Sequence, residues 1–224
     1  MENIFKKNLL EKKQQIGLWS NLCSEITADI IAGAGFDWIL LDMEHSANDI
    51  RGVLSQAQAI QAKNKSEILV RPPWNDPIKI KPLLDYGFNS LVIPMVNNEE
   101  DAKKAVMACH YPPKGIRGVA MSQRGNDYTR DKNYFKNIDD NICLIPQLET
   151  VNSINNISSD NVSEILGVPI SKALYENNDV VANNLPRCRK LYPTVTGNTV
   201  EWHLDGDDTG PCIEVAESPY SGLC

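Results

Sequence analysis

The sequence has few of the features that mark a nucleic-acid-binding, secreted or membrane protein. Its 22 Lys and Arg residues are outnumbered by 29 Asp and Glu residues, which gives a formal net charge of -7. Binding to a phosphate backbone needs a basic surface instead. No apolar run approaches the roughly 18 residues of a membrane span, and residues 1–7 lack the apolar core of a signal peptide. We therefore expect a cytoplasmic protein that binds neither nucleic acid nor a membrane.

Cysteine motifs and a dinucleotide-binding motif are also missing. The six cysteines are scattered and form no C-x-x-C pair, so their spacing is typical of neither a disulfide scaffold nor a zinc site. Cys23, Cys109 and Cys143 lie in apolar surroundings, as unreactive packing residues do. No G-x-G-x-x-G follows the first apolar run, which argues against a dinucleotide-binding fold.

Short apolar runs alternate with helical patterns between residues 16 and 166. We predict five strands, at residues 16–22, 36–44, 68–71, 90–96 and 142–149. Helical spacing or a capping residue predicts helices that begin near Ser24, Ile50, Asp76, Asn98 and Val151. A Gly- and Pro-containing loop is expected at about 111–134.

Strands that alternate with helices predict parallel βα units, in either a (β/α) barrel or an open doubly wound sheet. Because the dinucleotide motif is absent, we predict the barrel. A complete eight-unit barrel typically needs about 250 residues, but five units already take the first 166. Residues 167–224 are rich in Asn, Asp, Thr and Pro and show no further strand–helix pattern. The expected domains are a barrel at 1–166, incomplete after its fifth βα unit, and an irregular tail at 167–224.

Polar side chains follow three of the predicted strands, where a parallel barrel builds its active site. They are Asp42, Glu44 and His45 after the second strand, Arg71 after the third, and Gln147 and Glu149 after the fifth. Alternation along a strand puts Asp42 and Glu44 on one face, and does the same for Gln147 and Glu149. His45 joins the site only if its strand ends or bends near Glu44.

These residue types together suit a particular chemistry. A carboxylate beside a Gln amide oxygen is part of a site for Mg²⁺ or Mn²⁺. An Arg holds a substrate carboxylate or a developing oxyanion. A His beside an Asp is a base whose tautomer is fixed. The set suits proton transfer and carbon–carbon bond chemistry on an oxo acid.

Structural roles also remain open for three of these residues. His45 could be a hydrogen-bonded structural imidazole. Arg71 could form a structural ion pair with Glu44. Glu149 could be an acid that the dipole of the following helix favours.

Five segments in order along the chain carry a family resemblance. They are Leu40-Leu-Asp-Met-Glu-His45, Val70-Arg-Pro-Pro-Trp-Asn-Asp-Pro77, Leu91-Val-Ile-Pro-Met-Val96, Tyr111-Pro-Pro-Lys-Gly-Ile-Arg-Gly-Val119 and Pro146-Gln-Leu-Glu-Thr150. Over about residues 4–166 the chain resembles the HpcH/HpaI family of class II pyruvate aldolases, such as 2,4-dihydroxyhept-2-ene-1,7-dioate aldolase. The resemblance implies a TIM barrel of the phosphoenolpyruvate/pyruvate type, assembled into homo-oligomers, commonly hexamers. It implies reversible aldol cleavage of a 4-hydroxy-2-oxo acid to pyruvate and an aldehyde.

The resemblance also implies a role for each matching residue. His45 corresponds to the general base, which works with Asp42. Arg71 corresponds to the group that binds pyruvate and stabilises its enolate. Glu149 corresponds to a ligand of a divalent cation (Mg²⁺, Mn²⁺ or Co²⁺), with Gln147 beside it as a substrate-binding residue.

The tail departs from the family pattern. The family's second metal ligand is an Asp in a Gly-Pro-x-Asp-Leu segment, whereas here Gly167-Val-Pro-Ile170 continues as Ser-Lys-Ala. The tail is either the product of a frameshift, mis-splicing or truncation, or a different fold with its own second ligand. An inactive barrel remnant that acts only by binding or assembly is therefore the alternative function. A citrate-lyase-like enzyme acting on an acyl-CoA would need a basic phosphate-binding patch, and none stands out.

Overall fold

A computed structural model describes residues 2–150 and 152–153, and it describes the backbone alone at 191–196 and 199–204. Helices and strands alternate along the first part of the chain. The helices are α1 (Ile4–Leu10), α2 (Glu25–Ala32), α3 (Ile50–Lys63), α4 (Pro77–Asp85), α5 (Glu99–Cys109) and α6 (Tyr134–Asn141), with a 3₁₀ helix at Arg124–Thr129. The strands are β1 (Gly17–Ser20), β2 (Trp38–Asp42), β3 (Glu67–Arg71), β4 (Ser90–Ile93), β5 (Cys143–Pro146), β6 (Leu191–Thr196) and β7 (Thr199–Leu204).

Side-chain caps set the starts of α2 to α5. In each case an Asp, Asn or Ser oxygen accepts a hydrogen bond from a main-chain N–H in the first turn. The four capping residues are Ser24, Asp49, Asp76 and Asn98. The predicted starts at Ser24, Asp76 and Asn98 are therefore confirmed.

The first five strands form one parallel sheet in the order β1-β2-β3-β4-β5. Each strand pairs with its neighbour in sequence, and the order never reverses. A doubly wound sheet reverses at a switch point, whereas a barrel adds its strands in sequence. The register pairs Asp42 directly with Arg71, which brings the polar ends of β2 and β3 together.

Alternation along the strands separates two apolar layers. Ile39, Leu41 and Val70 face a large core that includes side chains of the surrounding helices. Leu40 and Leu69 face the opposite side, together with Phe5 of α1, in a smaller cluster. Residues 42 and 71 continue the alternation of 40 and 69, so they belong to this second face. The sheet is thus buried on both faces, which is typical of a parallel βα barrel.

Four strands end earlier than predicted, among them β1, which ends at Ser20 rather than at residue 22, and β4, which ends at Ile93 rather than at residue 96. The second strand was predicted to run to residue 44, but β2 ends at Asp42, because the Ser46 hydroxyl and the Asn48 amide donate to the Asp42 carbonyl and turn the chain. The fifth was predicted to run to residue 149, but β5 ends at Pro146. Glu44, His45, Gln147 and Glu149 are therefore loop residues, as active-site residues of barrels commonly are.

The segment between α5 and β5 is more ordered than expected. Part of the loop predicted at 111–134 forms the 3₁₀ helix, and α6 follows directly before β5. Most of the helix predicted to begin at Val151 lies outside the described residues, which include only 152 and 153 of it. No helix in the described part of the chain is long and apolar enough to cross a lipid bilayer.

The chain divides into two units, Met1–Lys172 and Ala173–Cys224. The parallel sheet lies in the first. The second contains β6 and β7, an antiparallel pair in which Leu191 faces Leu204 and Thr196 faces Thr199. An irregular tail was expected there, but Thr199-Val-Glu-Trp-His-Leu204 alternates apolar and polar residues as a strand does. The departure of residues 167–170 from the family motif lies outside the described residues.

Candidate active site

Arg71 is at the centre of the candidate site, at the carboxyl end of β3. Its Nε donates to Asp42 Oδ1 at 2.7 Å and its Nη2 to Asp42 Oδ2 at 2.6 Å. This two-point contact is the strongest geometry available to an arginine and a carboxylate. Both side chains are buried, with Asp42 fully inaccessible, so the pair fixes the plane of the guanidinium.

Two further side chains surround the Arg71 guanidinium. Glu44 Oε2 lies 3.0 Å from Nη1 but has no hydrogen bond of acceptable geometry and is itself buried. The Trp19 ring, at the end of β1, has its centroid 4.7 Å from Arg71 Cζ, within the range of a cation–π contact. Glu44 Oε2 is thus a buried acceptor with unused capacity, which carries a cost unless a further donor or cation reaches it.

The electrostatics of this cluster favour the ionised forms of both Asp42 and Arg71. Burial raises the pKa of Asp42, but hydrogen bonds from Arg71 and from the Glu44 main chain, together with the Arg71 charge, outweigh it and hold the pKa below its usual value. Burial lowers the pKa of Arg71, but Asp42, Glu44 and Glu149 outweigh it and raise the pKa. Three carboxylates thus act on one guanidinium, and the cluster has an excess of negative charge.

Gln147 and Glu149 follow β5 and reach the same cluster from the other side. Arg71 Nη1 donates to Gln147 Oε1 at 3.3 Å. Glu149 Oε1 accepts a hydrogen bond from the main-chain N–H of Met95 at 2.8 Å. The residues predicted from three strand ends therefore do meet, because parallel strands present their carboxyl ends at one edge of the sheet.

His45 is the exception within the predicted set. Its side chain is 69% exposed, and its Nε2 lies 3.8 Å from Glu44 Oε1. The Asp42 carboxylate is bound to Arg71, and the main-chain amide of His45, rather than its ring, contributes to lowering the Asp42 pKa. The paired His45 and Asp42 side chains expected from the sequence are not found in this arrangement.

The oxygen donors of the cluster decide whether a divalent cation fits this site. In the described residues no three His, Cys, Asp or Glu side chains converge as a metal site. The Glu149 carboxylate, the Gln147 amide oxygen and the unsatisfied Glu44 Oε2 are nevertheless hard oxygen donors. Mg²⁺ commonly binds through one or two carboxylates and completes its shell with water and substrate, so the donor set fits such an ion.

Sequence reasoning missed two contributors to the site. Trp19 was assigned only to a strand, although alternation from Gly17 places it on the same face of the sheet as Asp42 and Arg71. The Met95 amide had no signal in the sequence, because a main-chain donor has no residue-type signature.

The parallel βα sheet is TIM-barrel-like, and the Arg–carboxylate cluster lies at its carboxyl edge, where such folds build their active sites. The sequence pattern of the HpcH/HpaI aldolase/citrate lyase family matches residues 15–173. The chain belongs to this family, as its motifs predicted.

The curated relatives and solved structures agree with this assignment. The 4-hydroxy-2-oxo-heptane-1,7-dioate aldolase of Salmonella heidelberg (strain SL476) is 46% identical over 160 residues, which is 71% of this chain and 60% of the relative. The chain therefore spans about 60% of the length of the curated relatives it matches. A HpcH/HpaI aldolase/citrate lyase family protein from Burkholderia cenocepacia J2315 superposes with a TM-score of 0.67 at 30% identity, covering 80% of this chain and 76% of that one. The HpcH/HpaI aldolase from Desulfitobacterium hafniense DCB-2 gives 0.60 at 26% identity, covering 79% and 73%.

Proposed function

We propose that this chain is a divalent-metal-dependent aldehyde-lyase that reversibly cleaves a 4-hydroxy-2-oxo acid into pyruvate and an aldehyde. Membership of the HpcH/HpaI family and the aldolase activity named for the curated relatives support this reaction class. The observation that carries the proposal is the Arg71 guanidinium, held by Asp42 and directed at Gln147. Such an arginine suits the carboxylate and the C2 oxygen of an oxo acid.

Each residue has a role in the proposed cleavage. Arg71 binds the substrate carboxylate, and Asp42 keeps the guanidinium in one plane. His45, whose exposed ring lies beside Glu44, removes the proton of the C4 hydroxyl. The C3–C4 bond then breaks, the aldehyde leaves, and the bonding electrons move towards the C2 oxygen to give the enolate of pyruvate. Return of a proton to C3 completes the reaction.

Glu149 is the proposed cation ligand, with the Gln147 amide oxygen beside it. Three carboxylates act on Arg71, so a divalent cation would relieve the excess negative charge. Mg²⁺, Mn²⁺ and Co²⁺ are the candidates. Bound there, the cation would supply positive charge that stabilises an oxyanion at C2.

The decisive experiment measures pyruvate release from a 4-hydroxy-2-oxo acid by the purified full chain. We expect release with Mg²⁺, Mn²⁺ or Co²⁺, loss of release with a chelator, and loss on Glu149→Ala. Glu100→Ala, which removes an exposed carboxylate on α5, serves as the matched control and keeps full activity. Release that is unaffected by chelation or by Glu149→Ala would rule out the metal mechanism.

The alternative, a remnant without catalysis that acts by binding or assembly, rests on the sequence at residues 167–170, which departs from the Gly-Pro-x-Asp-Leu segment of the family. Calorimetry separates the two hypotheses, because an enzyme binds Mn²⁺ and pyruvate with mutual enhancement and a remnant binds neither. Homo-oligomer formation and a cytoplasmic location remain predictions. Chromatography with light scattering tests the first, and cell fractionation tests the second.

A further inference from the structure

We propose that the main chain of Met95 positions the Glu149 carboxylate, so that Met95 is a positioning residue of the cation site. The proposal rests on the cation role suggested above for Glu149. Met95 lies in the segment Leu91-Val-Ile-Pro-Met-Val96 that resembles the family, but the resemblance assigns no role to it. Met95 contributes through its backbone conformation, which residues other than glycine adopt only at a cost in free energy.

The Met95 backbone lies in the left-handed region, with φ at +55°. In this region Cβ crowds the following carbonyl, and the conformation is rare for residues other than Gly, Asn and Asp. Here it directs the Met95 N–H to Glu149 Oε1, at 2.8 Å. Strained backbone of this kind persists only where its surroundings enforce it, and it concentrates at functional sites.

Contacts from outside the residue hold this conformation. The Asn97 side-chain amide donates to the Met95 carbonyl at 3.0 Å, and the Thr150 hydroxyl donates to Asn97 Oδ1 at 2.5 Å. The next main-chain amide, that of Val96, donates to the Gln147 carbonyl at 3.2 Å. The turn after β4 is thereby tied to the segment after β5 that carries Glu149.

The consequence for Glu149 is a fixed orientation. One carboxylate oxygen is held by a rigid main-chain donor, which sets the direction of the other oxygen before any ligand arrives. Groups that orient metal ligands in this way commonly contribute about 10- to 100-fold to metal affinity. The Met95 side chain takes no part in this, so its removal is expected to be neutral, whereas a side chain that opposes the left-handed backbone is expected to weaken cation binding.

Three substitutions at one position separate backbone from side chain. We expect Met95→Gly and Met95→Ala to bind Mn²⁺ within about twofold of the parent chain, and Met95→Val to bind about tenfold more weakly, because a β-branched residue opposes the left-handed conformation. Water proton relaxation on the full chain measures Mn²⁺ affinity without any turnover. Met121→Val, at an exposed loop methionine, is the matched control, and far-UV circular dichroism verifies folding. Parental affinity in Met95→Val, or equal weakening in all three variants, would overturn the proposal.

Amide exchange tests the same contact without a metal. In the metal-free chain labelled with ¹⁵N at its five methionines, the Met95 amide should exchange slowly. Glu149→Ala should accelerate that exchange, and Glu149→Gln, which keeps an oxygen acceptor, should restore most of the protection. If Glu149→Ala left the exchange rate of the Met95 amide unchanged, the positioning role would be refuted. A protected amide in a parent chain that binds no Mn²⁺ would instead refute only the cation role of Glu149.

Discussion

Two buried arginines in this protein have opposite surroundings. Arg71 lies at the carboxyl edge of the sheet, where Asp42 binds it at two points, Glu44 lies 3.0 Å away and Trp19 covers one face. The carboxylates outnumber the guanidinium, one of their oxygens is unsatisfied, and the exposed His45 lies beside them. These surroundings support the ligand-binding role proposed for Arg71.

Arg117 lies in the segment between α5 and the 3₁₀ helix, with a fully inaccessible side chain. Its Nη2 donates to Asp85 at 2.8 Å and to the Tyr134 hydroxyl at 3.1 Å, and the Tyr111 ring centroid lies 4.5 Å from its Cζ. Burial lowers the pKa of Arg117, but Asp85 and the two tyrosines outweigh this and raise it. One carboxylate faces one guanidinium here, although Arg117 Nε and Nη1 are buried without a hydrogen-bond partner.

Burial alone does not distinguish the arginine proposed to bind a ligand from the one proposed to be structural. Both arginines are buried and both have a raised pKa. The balance of charge and access separates them: Arg71 has excess carboxylate around it and an exposed neighbour, whereas Arg117 is enclosed by aromatic rings. We therefore expect changes at Arg117 to affect stability and changes at Arg71 to affect activity.

The largest expected effect is on folding, for Arg117→Ala. Removing one member of a buried ion pair leaves Asp85 without its partner, which typically costs about 3–5 kcal/mol in the free energy of unfolding. Urea denaturation measures it. The control is Arg130→Ala, which breaks an exposed ion pair with Asp127 and should cost less than about 1 kcal/mol. Equal losses in the two variants would contradict a structural role for Arg117.

The next effect is on activity, for Arg71→Lys. The positive charge remains, but the two-point contact with Asp42 and the planar fork for a substrate carboxylate are lost. We expect kcat/KM for Mn²⁺-dependent pyruvate release to fall by about 100-fold, with a smaller loss of stability than in Arg117→Ala. Arg117→Lys is the matched control, and its kcat/KM should stay within about threefold of the parent value at a temperature where it is folded. If Arg117→Lys lowered kcat/KM more than Arg71→Lys did, the distinction between the two arginines would be lost.

The smallest effect concerns acid stability. The pKa of Asp42 is lower in the folded chain than in the unfolded chain, so the folded state binds this proton less readily. The resulting stabilisation is complete above the ordinary Asp pKa of about 3.9 and is lost as the pH falls through the lower folded value. Asp42→Asn should be less stable at neutral pH and should show a flatter stability curve below about pH 4, as urea titrations at several pH values would measure. Asp127→Asn, at an exposed position, should keep the slope of the parent, and an unchanged slope in Asp42→Asn would argue against the ion pair.

Local signals made much of the fold predictable. Capping residues such as Ser24 and Asn98 identified helix starts, because their oxygens satisfy main-chain donors that a helix leaves free. Helix α6 was missed, since its eight residues include four Asn or Asp, which favour turns. The β6–β7 pair had a usable signal that was overlooked: two alternating runs separated by Gly197-Asn198, a dipeptide typical of tight hairpins.

The candidate site was predictable in its composition but not in its pairing. The polar residues after three strands were identified because parallel strands end at one edge. The partners of these residues could not be predicted. The resemblance paired Asp42 with His45, whereas the register of β2 with β3 places Asp42 opposite Arg71. The Met95 amide was beyond reach for the same reason, because its partner Glu149 lies 54 positions away in another segment.

The sequence by itself determined the alternation of strands and helices, the family, and the set of polar residues at the strand ends, because these depend on local periodicity and on residue type. Only the tertiary structure decided that Asp42 binds Arg71, that Trp19 covers it, and that a left-handed turn at Met95 holds Glu149. These contacts join residues 29 or more positions apart in the chain. Which of several possible partners a charged side chain meets depends on strand register and loop geometry, and no local pattern encodes either.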